Sequence, residues 1–369
     1  EELYEYYEYD FTPHPQGLLE ETGRIKGEYT GWAAYVNLDW YITENFDIEF
    51  GLRYTEDEKD VLANVGIGFF DASQDFDEVS WELAANYTLD GGMNVYGAIQ
   101  NGYQSGQFPA RPYCLFGGTA VGCLEASENI TAINYEVGIK GQPFERLQMS
   151  AALFFTQYSD LPYQVSSTTG EGFSTDNLIV DQESFGFEWE STAYFTDNFL
   201  FHATLGYIDV DVERQQGVKP VAPLTPELTY SLSPEYRISL GNGGTLTLRA
   251  DYAYRDEMWG EPSSDPGRFT KIEDRSLLNA NIAYRSPDDS MTIALYGRNV
   301  TDERYSNAKL NTGDYVLRIM SNDASEFGLS RSSHDLLPAR YIPGQMAGPP
   351  QYIYIFILFW LLLGLVVQN

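Results

Sequence analysis

One short segment combines side chains that could contact a small ligand. The segment GYQSGQFPARPY carries aromatic, amide and guanidinium groups close together. Aromatic rings stack on sugars, and a guanidinium fork pairs with the carboxylates of anionic chelates. The candidate ligand contacts are therefore Tyr103, Gln107, Arg111 and Tyr113. The alternative is that these side chains only pack within a loop.

Both cysteines of the chain follow directly, in CLFGGTAVGC. Gly117 and Gly118 allow the chain to turn back between Cys114 and Cys123. No CxxC motif is present and the three His are scattered, so the spacing does not fit a zinc site. We predict a local disulfide between Cys114 and Cys123 in an oxidising compartment, with two free thiols as the alternative.

Other chemistry is not indicated by the sequence. The motifs GxSxG, HExxH and the P-loop do not occur. Glu188 and Glu190 share one parity, as a pair of glycosidase carboxylates would, but no partner residue from another strand is indicated, so they are interpreted as polar lining. The acidic stretch at 71–78 lacks the spacing of a calcium loop. The sequence predicts no enzyme, no metal site and no cofactor.

Charge and composition restrict the partners. The 54 acidic residues outnumber the 22 basic ones, giving a net charge of −32 that repels the phosphates of nucleic acids. DNA and RNA are therefore excluded as partners. Aromatic residues make up 15% of the chain, which argues against a disordered acidic polymer.

The elements that would position these residues are β-strands. In EVSWELAANYTLD (Glu78–Asp90), one parity holds Val79, Trp81, Leu83 and Tyr87, and the other is mostly polar. Successive side chains of a strand point to opposite faces, so one face is apolar. Similar alternation recurs along the chain and predicts about thirteen strands, or fourteen with a partial one in Leu3–Phe11.

The connections between these strands alternate in length. Short turns are predicted around 43–45, 90–92, 143–145, 196–198, 241–244 and 286–290. Long connections are predicted at about 57–76, 104–132, 159–182, 213–225, 257–273 and 301–313. Short periplasmic turns and long external loops are typical of a transmembrane β-barrel, with aromatic residues such as Trp40, Phe46 and Phe195 at the interface. The alternative is a large soluble β-sheet protein whose apolar face packs on a second sheet.

Several segments then resemble one protein family. FGLRYTEDEKD (50–60), MNVYGAIQNGYQSGQFPAR (93–111), the hairpin at 133–161 and ALYGRNVTDERY (294–305) are similar to motifs of TonB-dependent outer-membrane receptors, in the same order. The likeness runs from about Trp32 to Leu329 and covers the C-terminal barrel of the family. We therefore predict an all-β fold, a transmembrane antiparallel up-and-down barrel that forms only part of a larger one.

The resemblance implies a function. Members of the family take up bulky, scarce nutrients such as ferric siderophores, cobalamin, haem or oligosaccharides across the Gram-negative outer membrane. Their partners are outer-membrane lipid, the ligand and the TonB–ExbB–ExbD complex. The family barrel has more strands and holds an N-terminal plug that carries the TonB-contacting segment. No plug is recognised in this chain, so coupling to TonB–ExbB–ExbD is expected of a full-length receptor only.

The C-terminal part departs from the family. Asp314–Leu329 is similar to most of the last barrel hairpin, and the resemblance then stops. Residues 1–330 are predicted to form the barrel portion, and 331–369 a linker plus an apolar tail. Sixteen apolar residues in a helix would reach about 24 Å, short of a hydrocarbon core of about 30 Å. The tail is therefore not expected to place the protein in the membrane.

Two other functions remain open from the sequence. A passive porin-like channel would need a complete barrel of its own and a constriction loop with opposed charges. A soluble β-rich carbohydrate-binding or scaffold protein would need a second apolar surface of similar size.

Overall fold

The computed structural model describes residues 2–10, 22–64, 69–108, 126–169, 172–214, 220–263, 269–311, 316–320 and 324–333. The regular secondary structure of these residues consists of β-strands. Across the same ranges, no helix has the length and apolar character needed to cross a bilayer. The predicted apolar tail lies outside the described residues, so the expectation about it stays a prediction.

Fourteen strands of the described chain form one antiparallel sheet, in which each strand pairs with the next of these fourteen in chain order. The strands are β1 (Glu2–Asp10), β2 (Thr22–Tyr41), β3 (Phe46–Asn64), β4 (Phe69–Thr88), β5 (Asn94–Gln104), β6 (Ile130–Phe144), β7 (Leu147–Thr169), β8 (Gly172–Thr196), β9 (Phe199–Val212), β10 (Leu228–Ser239), β11 (Thr245–Arg255), β14 (Arg275–Arg285), β15 (Met291–Arg298) and β18 (Glu326–Ser333). Two small hairpins lie outside this sheet: β12 (Met258–Trp259) with β13 (Lys271–Ile272), and β16 (Ser306–Asn311) with β17 (Val316–Met320).

The sheet has the predicted up-and-down topology and does not close into a barrel. Within the described residues it ends at β1 and β18. The predicted fold class and the predicted thirteen or fourteen strands are therefore confirmed, including the partial first strand.

One face of the sheet is apolar in continuous cross-strand rows. Directly paired residues share a face, so a row can be followed from strand to strand. One row runs Leu38, Phe50, Leu83, Ile99, Tyr135, Phe155 and Phe185, from β2 to β8. A second runs Phe46, Tyr87, Val95, Ile139, Ala151, Trp189, Leu205, Tyr230 and Tyr254, from β3 to β11.

These apolar side chains are presented outward instead of being packed in a core. Trp40, Leu83 and Leu295 are 67%, 47% and 57% exposed. Such a surface is stable only against another apolar medium, and at about 25 cal/mol per Å2 its exposure to water would be costly. An outward apolar band on a continuous sheet is what lipid contact requires.

The opposite face is polar along equally continuous rows. One row runs Asn37, Gly51, Glu82, Gln100, Asn134, Thr156 and Ser184. Glu188 and Glu190 also point to this face, opposite Ala152 and Ser150 of β7. The interpretation of this carboxylate pair as polar lining is therefore consistent with the register.

Aromatic rings of the polar face lie over glycines of the neighbouring strand. Tyr96 is directly paired with Gly138, and a Cβ atom on Gly138 would lie 2.6 Å from the tyrosine ring. Tyr296 stands in the same relation to Gly328. The missing Cβ leaves room for the ring to lie across the strand, which is how glycines in sheets are covered.

The short turns are confirmed, but two long connections are not. The strands meet at 42–45, 89–93, 145–146, 197–198, 240–244 and 286–290. The long connections predicted at about 57–76 and 159–182 are wrong, because β3, β4, β7 and β8 continue as paired strands to Asn64, Phe69, Thr169 and Gly172. Backbone pairing continues there without the long lipid-facing apolar rows of the membrane band, since a strand that extends beyond the lipid no longer contacts it.

The end of the chain also differs from the expectation. The segment Asp314–Leu329 was predicted as most of the last barrel hairpin. Instead, β17 pairs with β16 in a separate small sheet, and only β18 joins the main sheet, against β15. The division predicted near residue 330 falls inside β18.

Candidate functional site

The candidate site lies at the end of the sheet that carries the long connections. In transmembrane barrels the long loops are external, which assigns this end to the outside. Tyr103 lies there near the end of β5, and Gln107 follows three residues after the strand ends at Gln104. Arg111, Tyr113, Cys114 and Cys123 lie outside the described residues. The structure therefore brings together only part of the predicted site.

Tyr103 is part of the framework that supports this loop. Its hydroxyl donates a hydrogen bond to Asp57 Oδ2 at 2.9 Å, on the external extension of β3. Burial, and then the hydrogen bond to Asp57, raise the pKa of Tyr103 to about 12. The hydroxyl of Tyr103 is therefore neutral, and its proton is used in the hydrogen bond to Asp57. The ring face is the part of the side chain left for a ligand.

Gln107 is held through its backbone. Its N–H donates to Ser127 Oγ, and its carbonyl accepts from the Ser127 N–H, both at 2.9 Å. The N–H of Gly106 donates to Asn129 Oδ1 at 3.2 Å. These bonds join the two ends of the connection between β5 and β6, and so fix the base of the loop that carries the other predicted residues.

A buried lysine secures the same loop base, and the sequence analysis did not identify it. Lys59 of β3 is 6% exposed, and its Nζ donates to the carbonyl oxygens of Gly106 at 2.7 Å and Ser105 at 3.2 Å. The ammonium also lies 5.2 Å and 5.3 Å from the ring centroids of Tyr29 and Phe76. Charge-assisted bonds between rings that exclude water are strong, so this contact clamps the loop to the sheet.

The external ends of β7, β8 and β9 form a second ordered region. Leu161, Leu178, Val180 and Val212 form a small buried core, and Ala222 of the connection between β9 and β10 packs against it. Asp160 has a positive φ of 62° at the register shift that begins this extension. The core makes the external part of these strands a rigid wall.

The small hairpins β12–β13 and β16–β17 form a third external region. Lys309 Nζ donates to the Lys271 carbonyl at 2.6 Å and pairs with Glu273 Oε1 at 2.5 Å. Arg318 Nε donates to Ser306 Oγ at 2.6 Å. Burial alone would raise the pKa of Glu273, but the Lys309 ammonium and Arg318 lower it below its usual range. The sequence did not indicate the β12–β13 hairpin, because two-residue strands carry no periodic signal. It placed β16 in a long connection and β17 in the last barrel hairpin, so the small β16–β17 sheet was not predicted either.

The late motif GRNVTDERY forms a tight turn above β15. Asn299, with φ of 44°, accepts from the Glu303 N–H and donates to the Glu303 carbonyl, both at 2.9 Å. Arg298 and Tyr296 lie on the polar face, and both contact Glu326. They line an open cavity of about 810 Å3 together with Asn279 and Asn281.

A family model then decides the assignment. The model described as "TonB dependent receptor-like, beta-barrel" matches residues 2–300. The chain belongs to this TonB-dependent receptor family. Its described part is the barrel portion, as the resemblance in the sequence indicated.

Curated relatives agree with this assignment. The pesticin receptors of Yersinia enterocolitica and Yersinia pestis are each 28% identical over 215 residues, which are 53% of this chain and 30% of theirs. The match thus spans about a third of the length of these curated relatives.

Solved structures show the same fold. The ferric yersiniabactin uptake receptor of Yersinia pestis superposes with a TM-score of 0.68 at 20% identity, covering 84% of this chain and 46% of that one. The ferric-catecholate import receptor of E. coli K12 gives 0.64 at 18% identity, covering 87% and 46%. The ferric citrate transporter gives 0.63 at 18% identity, covering 87% and 47%. At these identities the likeness supports the fold, and it covers about half of each receptor.

Proposed function

We propose that this chain is the barrel portion of an outer-membrane receptor that imports a bulky, scarce ligand. The observation that carries the proposal is the two-sided sheet of a TonB-dependent receptor, with apolar rows outward and polar rows inward. A porin-like channel or a soluble scaffold remains as an outcome of the test below. The location is the outer membrane of a Gram-negative cell.

The proposed ligand class is a ferric chelate. Three structural relatives are described as receptors or transporters of ferric yersiniabactin, ferric catecholate and ferric citrate. Ferric chelates are commonly anionic and carry aromatic or carboxylate groups, which suit tyrosine rings and guanidinium forks. We therefore propose Tyr103, Gln107, Arg111 and Tyr113 as ligand contacts, and a Cys114–Cys123 disulfide that restricts their loop.

Energy coupling is proposed to come from the TonB–ExbB–ExbD complex. The polar inner face would need to be covered by a plug, because it carries Glu136 on β6 and Glu188 and Glu190 on β8, with β7 between the two strands. A covering domain would supply hydrogen bonds or positive charge to these carboxylates.

Transport in a cell lacking other iron receptors tests the proposal. The protein is expressed from its natural gene, and uptake of 55Fe bound to citrate, a catecholate or a yersiniabactin-type chelate is measured with and without TonB. We expect uptake of at least one chelate that disappears without TonB. Uptake that is unchanged without TonB would support a passive channel, and recovery of the protein in the soluble fraction would refute the membrane assignment.

Two variants test the proposed contacts. Arg111→Ala is expected to raise the half-saturating chelate concentration at least tenfold. Arg146→Ala is the matched control, because Arg146 lies at a short turn and is paired with Asp197 at 2.6 Å. Equal loss in both variants would contradict the assignment of Arg111.

A further inference from the structure

Two arginines face each other at the external ends of neighbouring strands. Arg255 ends β11 and is directly paired with Arg275, which begins β14. The same cross-strand row continues through Thr229 and Gly206 to Glu188. Arg255 and Arg275 therefore belong to the polar face, at the external mouth. Side chains at directly paired positions have Cβ atoms about 5 Å apart, and like charges there repel.

Neither arginine has a carboxylate partner among the residues that the structure describes. The neighbouring Arg249 shows the contrast, because it pairs with Asp251 at 2.7 Å and Glu235 at 3.8 Å. Most other described arginines and lysines of the C-terminal half form such pairs. In a chain with 54 acidic and 22 basic residues, two adjacent guanidinium groups without a carboxylate need an explanation.

The hydrogen-bonding groups of Arg255 are incompletely used. One of its terminal nitrogens, Nη2, donates to the Glu273 carbonyl at 3.3 Å. Its Nε is buried and has no hydrogen-bond partner in the described structure. A buried donor without a partner costs about 1–3 kcal/mol, so an acceptor that reaches it would bind favourably.

Arg275 is held by an aromatic ring. Its guanidinium lies 4.6 Å from the ring centroid of Tyr305, which is 7% exposed. Its Nη1 makes a long contact of 3.5 Å with Asn307 Oδ1. A guanidinium group that stacks on a ring uses its flat face, and its N–H edge stays available for bidentate bonds to an oxyanion.

We propose that Arg255 and Arg275 form an oxyanion site for a carboxylate or phosphate group on the imported ligand. The Nε edge of Arg255 and the fork of Arg275 supply the donors, and Tyr305 fixes the geometry. Only the assignment of the anion to an imported ligand rests on the proposed function. The hydrogen-bond donors of the two arginines are present whatever the protein transports. The site lies on β11 and β14, whereas Arg111 follows β5 in the sequence, so the two are proposed to contact different parts of the ligand.

Direct anion binding tests the site. The protein expressed from its natural gene is purified in a non-ionic detergent, and binding of citrate and of inorganic phosphate is measured by calorimetry at constant ionic strength in chloride. The two anions distinguish a carboxylate site from a phosphate site. Arg255→Gln and Arg275→Gln are each expected to weaken binding at least tenfold. Arg255→Lys keeps the charge but lacks the Nε fork, and is expected to weaken binding nearly as much.

Arg285→Gln is the matched control, because Arg285 lies at the opposite end of β14 and pairs with Asp289. It is expected to bind like the unaltered protein. The inference is overturned if neither anion binds the unaltered protein more tightly than chloride, or if Arg285→Gln weakens binding equally. TonB-dependent uptake without anion binding would remove the site and leave the proposed function intact. Anion binding without TonB-dependent uptake would do the reverse.

Discussion

Replacing Lys59 with methionine removes the clamp at the base of the loop between β5 and β6. Methionine keeps an unbranched apolar chain that can lie between Tyr29 and Phe76. It removes the ammonium group that donates to the carbonyls of Ser105 and Gly106. The change therefore removes these two charge-assisted hydrogen bonds together with the contacts of the ammonium group with the Tyr29 and Phe76 rings.

The magnitude follows from the environment of Lys59. Hydrogen bonds to charged groups contribute about 1.5–3 kcal/mol each when water is excluded, and Lys59 is only 6% exposed. Two such bonds at the lower end of this range give about 3 kcal/mol for opening the loop base. At about 1.4 kcal/mol per factor of ten, the open form should become roughly a hundred times more populated.

Hydrogen exchange measured by mass spectrometry reports this opening. The amides of Gly106, Gln107 and Ser127 are bonded within the loop base, so peptides covering 103–108 and 126–132 should exchange roughly a hundred times faster in Lys59→Met. Lys140→Met is the control, since Lys140 is exposed and lies near the opposite end of β6 from the loop base. An increase below about threefold in these peptides, or an equal increase in Lys140→Met, would refute the role given to Lys59.

Three further predictions follow from the same structure. Leu83→Arg places a charge in the middle of an apolar row and should destabilise the folded barrel in lipid vesicles by about 2–4 kcal/mol, measured by urea unfolding; an unchanged midpoint would contradict lipid contact. Gly138→Ala should cost about 1–3 kcal/mol, because its Cβ would meet the Tyr96 ring, whereas Gly102→Ala, with open space around it, should have no such cost. Hydrogen bonds from the hydroxyls of Ser286 and Ser290 lower the pKa of Asp288 to about 2. The stability that these bonds give to the turn is therefore fully present above the ordinary carboxylate pKa and is lost as the pH falls toward 2. Carbon-13 NMR that shows Asp288 titrating near pH 4 would contradict this.

The strands of the membrane band were predictable from the sequence because lipid imposes a strict two-sided pattern. Trp81, Leu83 and Tyr87 alternate with polar residues for a physical reason that holds in every strand. The short turns were predictable as well, since tight hairpins select glycine, asparagine and aspartate.

The external region was not predictable in the same way. The extensions of β3, β4, β7 and β8 pair through backbone hydrogen bonds, and the residue pattern of a single strand does not predict such pairing. Lys59 and Lys309 join segments that are distant in the sequence. Lys59 donates to the carbonyl of Gly106, and Lys309 donates to the carbonyl of Lys271. The pairing of Arg255 with Arg275 likewise depends on register across a connection of 19 residues, 256–274, which composition does not determine. The predicted contacts Arg111 and Tyr113 remain predictions.

The two-sidedness of the sheet is the central claim, and spin-label accessibility tests it most directly. Single nitroxide labels are placed at 82–87 of β4 in a Cys114→Ser, Cys123→Ser background, with the protein reconstituted in lipid vesicles. Collision with oxygen, which concentrates in lipid, should dominate at Leu83, Ala85 and Tyr87 and be low at Glu82, Ala84 and Asn86. Equal oxygen accessibility at all six positions, or high accessibility to a water-soluble nickel complex at Leu83, Ala85 and Tyr87, would contradict a membrane-spanning sheet.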